Sequence, residues 1–188
     1  MPIDRDKIIK GVRLMLEGVG EDVGREGLQR TPERIAELYE EVLSGYDQDA
    51  DAELRRYKAS NKDEMIVMRD ISFYSLCEHH LLPFFGKAHI AYIPQHDRMA
   101  GFSNMVRVIE ILSQRLQVQE RMTTQIADAM VAAIDCKGVL VVVEAEHLCL
   151  TMRGIKKPGS KIVTSAIRGI MRKTATRIEA LNLLGRMG

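Results

Sequence analysis

Apolar residues in the first third of the chain recur with the period of an α-helix. One such face follows Asp4, which can cap a helix, and a second follows the pair Thr31-Pro32, which is typical of a helix start. Gly45 marks the predicted end of the second helix. The apolar positions are Ile8, Val12, Met15, Leu16 and Val19 in the first helix and Ile35, Leu38, Val42 and Leu43 in the second. The pattern predicts an N-terminal helical region over residues 1–60.

Beyond residue 60 the pattern becomes that of β-strands. Residues 65–75 are rich in β-branched and aromatic side chains, and residues 86–93 alternate, which predicts two strands. Two further strands are expected near residues 139–143 and 162–167, the first of them fully buried.

Two amphipathic helices separate these strand pairs, the first capped by Ser103 and the second by Thr123 or Thr124. The order β-β-α-α-β-β predicts an α+β fold, in which an antiparallel sheet carries two helices on one face. The other face and the edges of the sheet must also be covered, and the chain has few elements left for this, so we expect an oligomer. Residues 61–188 are the predicted catalytic region, within a single domain overall.

Composition and charge exclude several classes of protein. Lys plus Arg number 27 and Asp plus Glu 26, giving a net charge of +1, which argues against an extended nucleic-acid-binding surface. The chain has no Trp, and its longest aliphatic run, Val139 to Val143, is too short to span a membrane. Charged residues occupy positions 4–7, where a secretory signal needs an apolar run, and three cysteines fit a reduced compartment better than a disulfide scaffold. We therefore expect a cytoplasmic protein with neither nucleic acid nor membrane as a partner.

Two strand connections carry the ligand types that zinc prefers. Cys77-Glu78-His79-His80 joins the first strand pair and His147-Leu148-Cys149 joins the second, and in an antiparallel sheet of this order both lie at the same end. Three ligands, Cys77, His80 and Cys149, leave a coordination position for water, as in catalytic zinc sites. The alternatives are a closed structural site or no metal, and Cys136, at the end of a helix, is poorly placed as a fourth ligand.

Two further histidines flank these ligands. His79 and His147 can exchange protons near neutral pH, which suits acid–base catalysis. Either one alone would more often be an ordinary surface or core histidine. Their position beside three zinc-type ligands favours a catalytic site.

Another group of residues is suited to bind phosphate. Ser103 lies at a helix start, whose free N–H groups attract anions, and Arg107 follows one turn later. Arg153 follows the second ligand segment closely. A solvated basic surface is the alternative, and it is favoured for Lys156 and Lys157 taken alone.

Gln119 and Glu120 lie at the junction of the two predicted helices. Glu120 either adds negative charge to the start of the second helix or accepts hydrogen bonds from the N–H edge of a guanine.

The chain resembles the GTP cyclohydrolase I family from Thr31-Pro32-x-Arg34 to Arg168-Gly169. The matching motifs are Cys77-Glu78-His79-His80, Gly86-Lys87, Ala91-Tyr92-Ile93-Pro94, Gly101-Phe102-Ser103, Leu116-Gln117-Val118-Gln119-Glu120-Arg121 and His147-Leu148-Cys149 with Arg153-Gly154. The resemblance implies the tunnelling fold, in which the sheets of several subunits join into a barrel. It also implies a homodecamer of two stacked pentamers with active sites between subunits.

The activity implied by the resemblance is conversion of GTP and water to 7,8-dihydroneopterin triphosphate and formate, the first step of folate and tetrahydropterin biosynthesis. Zinc would activate a water molecule that adds to C8 of the purine. The residues implied are Cys77, His80 and Cys149 for zinc, His79 and His147 for proton transfer, Glu120 and Gln119 for the guanine edge, and Ser103, Arg107, Arg153 and Arg34 for the ribose triphosphate.

Two positions depart from the common pattern of the family. Asn104 stands where many members of the family have lysine, and Glu37 stands where some members have lysine. Positive charge is therefore lost at the expected triphosphate site. We expect Lys156 or Lys157 to compensate.

Three other functions compete with GTP ring opening. One is a related enzyme acting on another purine or pterin, against which the His147-x-Cys149 pattern argues. Another is a zinc-stapled binding module without catalysis, which predicts a closed four-ligand site and unfolding by chelators. Nucleic-acid binding has only the basic C-terminal segment in its favour.

Overall fold

A computed structural model describes residues 3–54, 56–58, 64–95 and 98–185. The helices in these ranges are α1 (Arg5–Gly18), α2 (Thr31–Val42), α3 (Ala50–Glu53), α4 (Phe102–Ser113), α5 (Gln119–Ile134), α6 (Leu148–Thr151) and α7 (Thr174–Leu184), with 3₁₀ turns at Ser44–Asp47 and Ile170–Arg172. The strands are β1 (Arg56–Lys58), β2 (Ile66–Cys77), β3 (Pro83–Ile93), β4 (Arg98–Ala100), β5 (Leu116–Gln117), β6 (Gly138–His147) and β7 (Lys161–Gly169). Within the described part of the chain, no helix has the length and apolar character needed to cross a membrane.

Five strands form one sheet in the order β5-β2-β3-β6-β7, and β1 pairs with β4 in a separate ribbon. Neighbours in the sheet are antiparallel except β5, which runs parallel to β2. The α+β class predicted from the sequence is confirmed. The strict order β-β-α-α-β-β is not, because the short elements β4, β5 and α6 interrupt it.

Helices α4 and α5 cover one face of the sheet. The alternation in β3 directs Ile90 and Tyr92 to this face, where they are buried in one core with Ile109 of α4 and Ile126 and Met130 of α5. Each such side chain contributes about 1.5–3 kcal/mol through removal of its apolar surface from water. The two helices and the sheet thus hold the strand ends in fixed positions.

Helix α7 covers part of the opposite face, where the sequence predicted too few elements. Ala180 and Leu184 of α7 pack with Leu140 and Val142 of β6 in a second cluster, and Arg69 Nη1 donates a hydrogen bond to the Leu184 carbonyl (3.0 Å). Part of this face is therefore covered within the chain, by α7.

Several predicted helix boundaries are wrong, although the helices exist. Asp4 does cap α1, its carboxylate accepting the Lys7 N–H (3.0 Å). Ser103, however, lies inside α4, whose N-cap is Gly101 in an extended conformation, with no side-chain capping hydrogen bond. A serine in the first turn cannot also cap it.

The other boundary corrections concern α2 and α5. Thr31 is the first residue of α2 and makes no capping hydrogen bond, and the helix ends at Val42, so Gly45 falls in the following 3₁₀ turn. Helix α5 begins at Gln119, which places Thr123 and Thr124 inside it rather than at its start.

The burial of His89 is expected to make the stability of the folded protein depend on pH. It is a buried residue of β3 that accepts the Asp70 N–H at Nδ1 (3.2 Å), where β2 has a bulge and Asp70 has φ +60°. Burial lowers the pKa of His89; Asp70 and Glu144 oppose this, whereas Arg69 and Lys87 add to it. The folded protein therefore holds this imidazole neutral.

We expect the free energy of unfolding to decrease as the pH falls below about 6.5, because His89 then takes up a proton in the unfolded chain before it does in the folded one. Denaturant unfolding of wild type and His89→Gln between pH 8 and pH 5 (about three units around that pKa) measures this. The variant cannot titrate at this position, so wild type should lose stability relative to it as the pH falls. Parallel curves would contradict the expectation.

Candidate active site

A tight turn at the end of β2 holds the first ligand segment. The Cys77 carbonyl accepts the N–H groups of His80 (3.3 Å) and Leu81 (2.8 Å), and the Cys77 N–H donates to the Leu82 carbonyl (2.9 Å). Leu81 takes a left-handed conformation (φ +55°) that closes this turn. The turn thereby fixes Cys77 and His80 relative to each other.

The second ligand segment begins where β6 ends. His147 is the last residue of β6, and Cys149 follows in the single turn of α6. Strand β3 lies between β2 and β6, with Phe84 paired opposite His147, so both segments stand at the same end of the sheet. This is the convergence that the sequence predicts for the two connections.

Cys77, His80 and Cys149 form a group that can hold a metal ion. One possible ligand atom of each lies within 4.8 Å of the others. Burial, followed by the adjacent Cys77, raises the pKa of the Cys149 thiol, and Arg153 opposes this. A bound divalent cation would instead lower the pKa of the thiol, because it stabilises the thiolate. This donor set therefore fits a metal such as zinc.

The turn is also tied to helix α5. Arg121 forms an ion pair with Glu78, which holds the pKa of that carboxyl below its usual value. The same guanidinium donates to Gln117 Oε1 (2.9 Å) and to the Leu116 carbonyl (2.9 Å). Sequence reasoning missed this contact, although Arg121 follows Glu120 directly in the matching motif.

His147 lies between an aromatic ring and a buried amide. Its ring stacks on that of Phe84 (centroids 4.7 Å apart, planes 5° apart), and its Nε2 lies 2.7 Å from Gln119 Oε1. Burial lowers the pKa of His147, and the carboxylate of Glu120 opposes this. Neither the stacking on Phe84 nor the bond to Gln119 follows from a local sequence signal.

The remaining predicted residues divide into two sets. Arg153 Nη1 lies 2.8 Å from His80 Nε2, His79 adjoins His80 in the turn, and Glu120 is exposed in the first turn of α5. By contrast, within residues 3–54, 64–95 and 98–185 the structure shows no hydrogen bond or ion pair that joins Ser103, Arg107 or Arg34 to the metal-ligand group; all three are exposed.

The two positions that depart from the family pattern have partners of their own. Glu37 and Glu40 of α2 both bind the guanidinium of Arg5 in α1, at 2.9 Å and 2.8 Å. Asn104 is half-buried and folds back toward Gly101. The negative charge of Glu37 is thus partly offset by Arg5, which it shares with Glu40.

Comparison with known proteins places this chain in a family. The sequence profile of GTP cyclohydrolase I matches residues 8–185. "GTP cyclohydrolase 1" of Carboxydothermus hydrogenoformans is 54% identical over 184 residues, covering 97% of this chain and 96% of that relative. "GTP cyclohydrolase 1" of Clostridioides difficile is 53% identical over 184 residues, covering 97% of each.

Among solved structures, the archaeosine synthase QueF-Like in its apo form is similar over 58% of this chain and 97% of that chain, with a TM-score of 0.44 and 14% identity. That likeness is too distant to bear on function. The sequence matches, by contrast, cover nearly the whole chain at 53–54% identity, and they show that the chain belongs to the GTP cyclohydrolase I family.

Proposed function

We propose that the protein is a zinc-dependent GTP cyclohydrolase, which converts GTP and water to 7,8-dihydroneopterin triphosphate and formate. The observation that carries the proposal is the convergence of Cys77, His80 and Cys149 beside His147, in a chain of this family. Zinc held by the three ligands would supply Lewis acidity, which makes a water molecule nucleophilic at neutral pH.

The chain's own residues then bind the purine and move protons. The exposed carboxylate of Glu120 accepts the N–H groups of the guanine edge, which orients the imidazole ring of the substrate toward the metal-ligand group. His147 and His79 give and take the protons that ring opening, formate release and closure of the pterin ring require.

Binding of the triphosphate requires positively charged side chains, and we propose that more than one subunit supplies them. Arg153 stands at the metal-ligand group, whereas Ser103, Arg107 and Arg34 make no described contact with it. Contribution of these three residues by neighbouring subunits would complete the site.

Features of the surface support an assembly, which we propose to be a homodecamer of two pentamers with sheets joined into a barrel in the tunnelling fold. Strand β7 has a free edge in the described sheet, and Tyr74 of β2 is 73% exposed. A cavity of about 670 Å³ between α2 and β2 carries further apolar side chains, including Leu38 and Leu81. A second copy of the chain would bury these surfaces.

Incubation of the zinc-loaded protein with GTP tests the function. We expect release of formate together with a pterin that becomes fluorescent on oxidation, one formate for each GTP consumed. Bovine serum albumin handled identically serves as the blank. Consumption of another purine or pterin without formate from GTP would favour the related-enzyme alternative, and zinc binding with no turnover of either would favour the non-catalytic module.

Lys156 and Lys157 are expected to contribute to the triphosphate site. Both are exposed in the segment after Arg153. Replacing each with alanine should raise the KM for GTP by up to about fivefold, because an exposed ion pair contributes up to about 1 kcal/mol. Lys173→Ala, an exposed lysine at the start of α7, is the matched control. An unchanged KM in both variants would show that these lysines do not replace the missing charge of position 104.

A further inference from the structure

The orientation of the Gln119 side-chain amide is fixed by its surroundings. Gln119 is 1% exposed, and its Nε2 lies 3.0 Å from the Val143 carbonyl oxygen and 3.0 Å from the Ile162 carbonyl oxygen. Both oxygens can only accept hydrogen bonds, so the atom that faces them is the NH₂ group of the amide. The amide oxygen therefore points the other way.

Two threonines support the same orientation. Thr123 Oγ1 donates to the main-chain carbonyl of Gln119 (2.7 Å) and lies 2.7 Å from Thr164 Oγ1. Because the Thr123 proton is used on the carbonyl, Thr164 must donate to Thr123, and the Thr164 oxygen is left as a further acceptor for Gln119 Nε2 (3.1 Å). Every donor in this buried group has an acceptor.

This orientation decides which nitrogen of His147 carries a proton. Gln119 Oε1 lies 2.7 Å from His147 Nε2 and can only accept, so Nε2 donates and bears the hydrogen. A neutral imidazole has one N–H, which leaves the lone pair on Nδ1. In residues 64–95 and 98–185, no hydrogen bond to Nδ1 is found, and the stacked ring of Phe84 fixes the plane of the imidazole.

We propose that Gln119 is a positioning residue for His147, which it holds with Nε2–H fixed and Nδ1 available for proton transfer, and that it is not a ligand of the guanine. Both N–H groups of the amide are used in these bonds, and its oxygen faces His147 in a side chain that is buried, so recognition of the guanine edge falls to the exposed Glu120. This assignment rests on the proposed function, because it concerns the proton transfers of that reaction.

Separate measurement of kcat and of GTP affinity tests the assignment. Gln119→Leu should lower kcat by about 10- to 100-fold, by analogy with the loss of a hydrogen bond that orients a metal-ligating histidine, while the dissociation constant for GTP changes less than about threefold. A guanine ligand predicts the reverse: weaker GTP binding in proportion to the fall in kcat/KM. That result would overturn the proposal.

A double-mutant cycle gives a second readout. If Gln119 acts through His147, then adding Gln119→Leu to His147→Ala should change the residual formate release by less than about threefold. Full persistence of the Gln119→Leu loss in that background would also overturn the proposal. Gln125→Leu, which removes a side-chain amide hydrogen bond six residues further along α5, is the matched control.

A second variant and a parallel wild-type assay distinguish the possible outcomes. If Gln119→Leu does not fold, Thr164→Val decides: it removes one bond to the amide at constant shape, and the same split of kcat from GTP affinity is expected, with a fall of about threefold to tenfold. Wild type is assayed in parallel. Failure of wild type to release formate would count against the proposed function itself, whereas normal wild-type turnover with weakened GTP binding in the variant would count against the positioning role alone.

Discussion

Cys149→Ala is expected to remove bound zinc and to lower formate release from GTP to below about one thousandth of the wild-type rate. Cys149 supplies one of three possible ligand atoms that lie within 4.8 Å of one another. Cys77 and His80 remain on one turn of β2, and two ligands do not hold zinc against exchange with solvent. The chemistry that depends on the metal is lost with it.

Zinc content per subunit and formate release are measured on the same preparation. Cys136→Ala is the matched control, because Cys136 is a buried thiol at the end of α5 whose pKa is raised to about 11, and it lies outside the metal-ligand group. The control should keep its zinc and its activity. A Cys149→Ala protein with a full complement of zinc and normal turnover would refute the metal assignment.

His147→Ala is expected to bind GTP normally but to turn it over about 100- to 10,000-fold more slowly, the range for loss of a general acid or base. The alanine leaves the metal ligands and Glu120 in place, so substrate binding persists. Equilibrium binding of a GTP analogue and single-turnover formate release measure the two effects separately.

Loss of the Phe84 stacking contact is a side effect of this change, so stability must be compared. His89→Gln replaces a second histidine of the same sheet, which is buried in β3 and lies outside the metal-ligand group, and it should retain wild-type turnover at pH 8 (about 1.5 units above the ordinary histidine pKa). If His147→Ala released formate at the wild-type rate, the proton-transfer role would have to be assigned elsewhere.

The meeting of the two ligand segments was predictable because it follows from the order of strands alone. Strands β2 and β6 are both antiparallel to β3, which lies between them, so they run in the same direction and the connections that follow them emerge at the same end. Cys77 and Cys149 are therefore placed together by topology, and their residue types then indicate a metal.

Contacts made through the buried interior were not predictable in the same way. The sequence places Gln119 beside Glu120. It gives no sign that the Gln119 amide donates hydrogen bonds to the carbonyls of Val143 in β6 and Ile162 in β7. Cover of the sheet by α7 was missed for a similar reason: a basic segment gives weak evidence of a packed helix, whereas Ala180 and Leu184 acquire their role only against β6.

One turn of α5 anchors both halves of the site. Gln119 holds the end of β6 through His147, and Arg121, two residues later, holds the turn of β2 through Glu78. A displacement of this turn moves both attachments at once, so we expect the imidazole of His147 and the turn that holds Cys77 and His80 to lose their alignment together. Heating should therefore inactivate the enzyme in one step, with no interval in which the metal is retained but the imidazole has come loose.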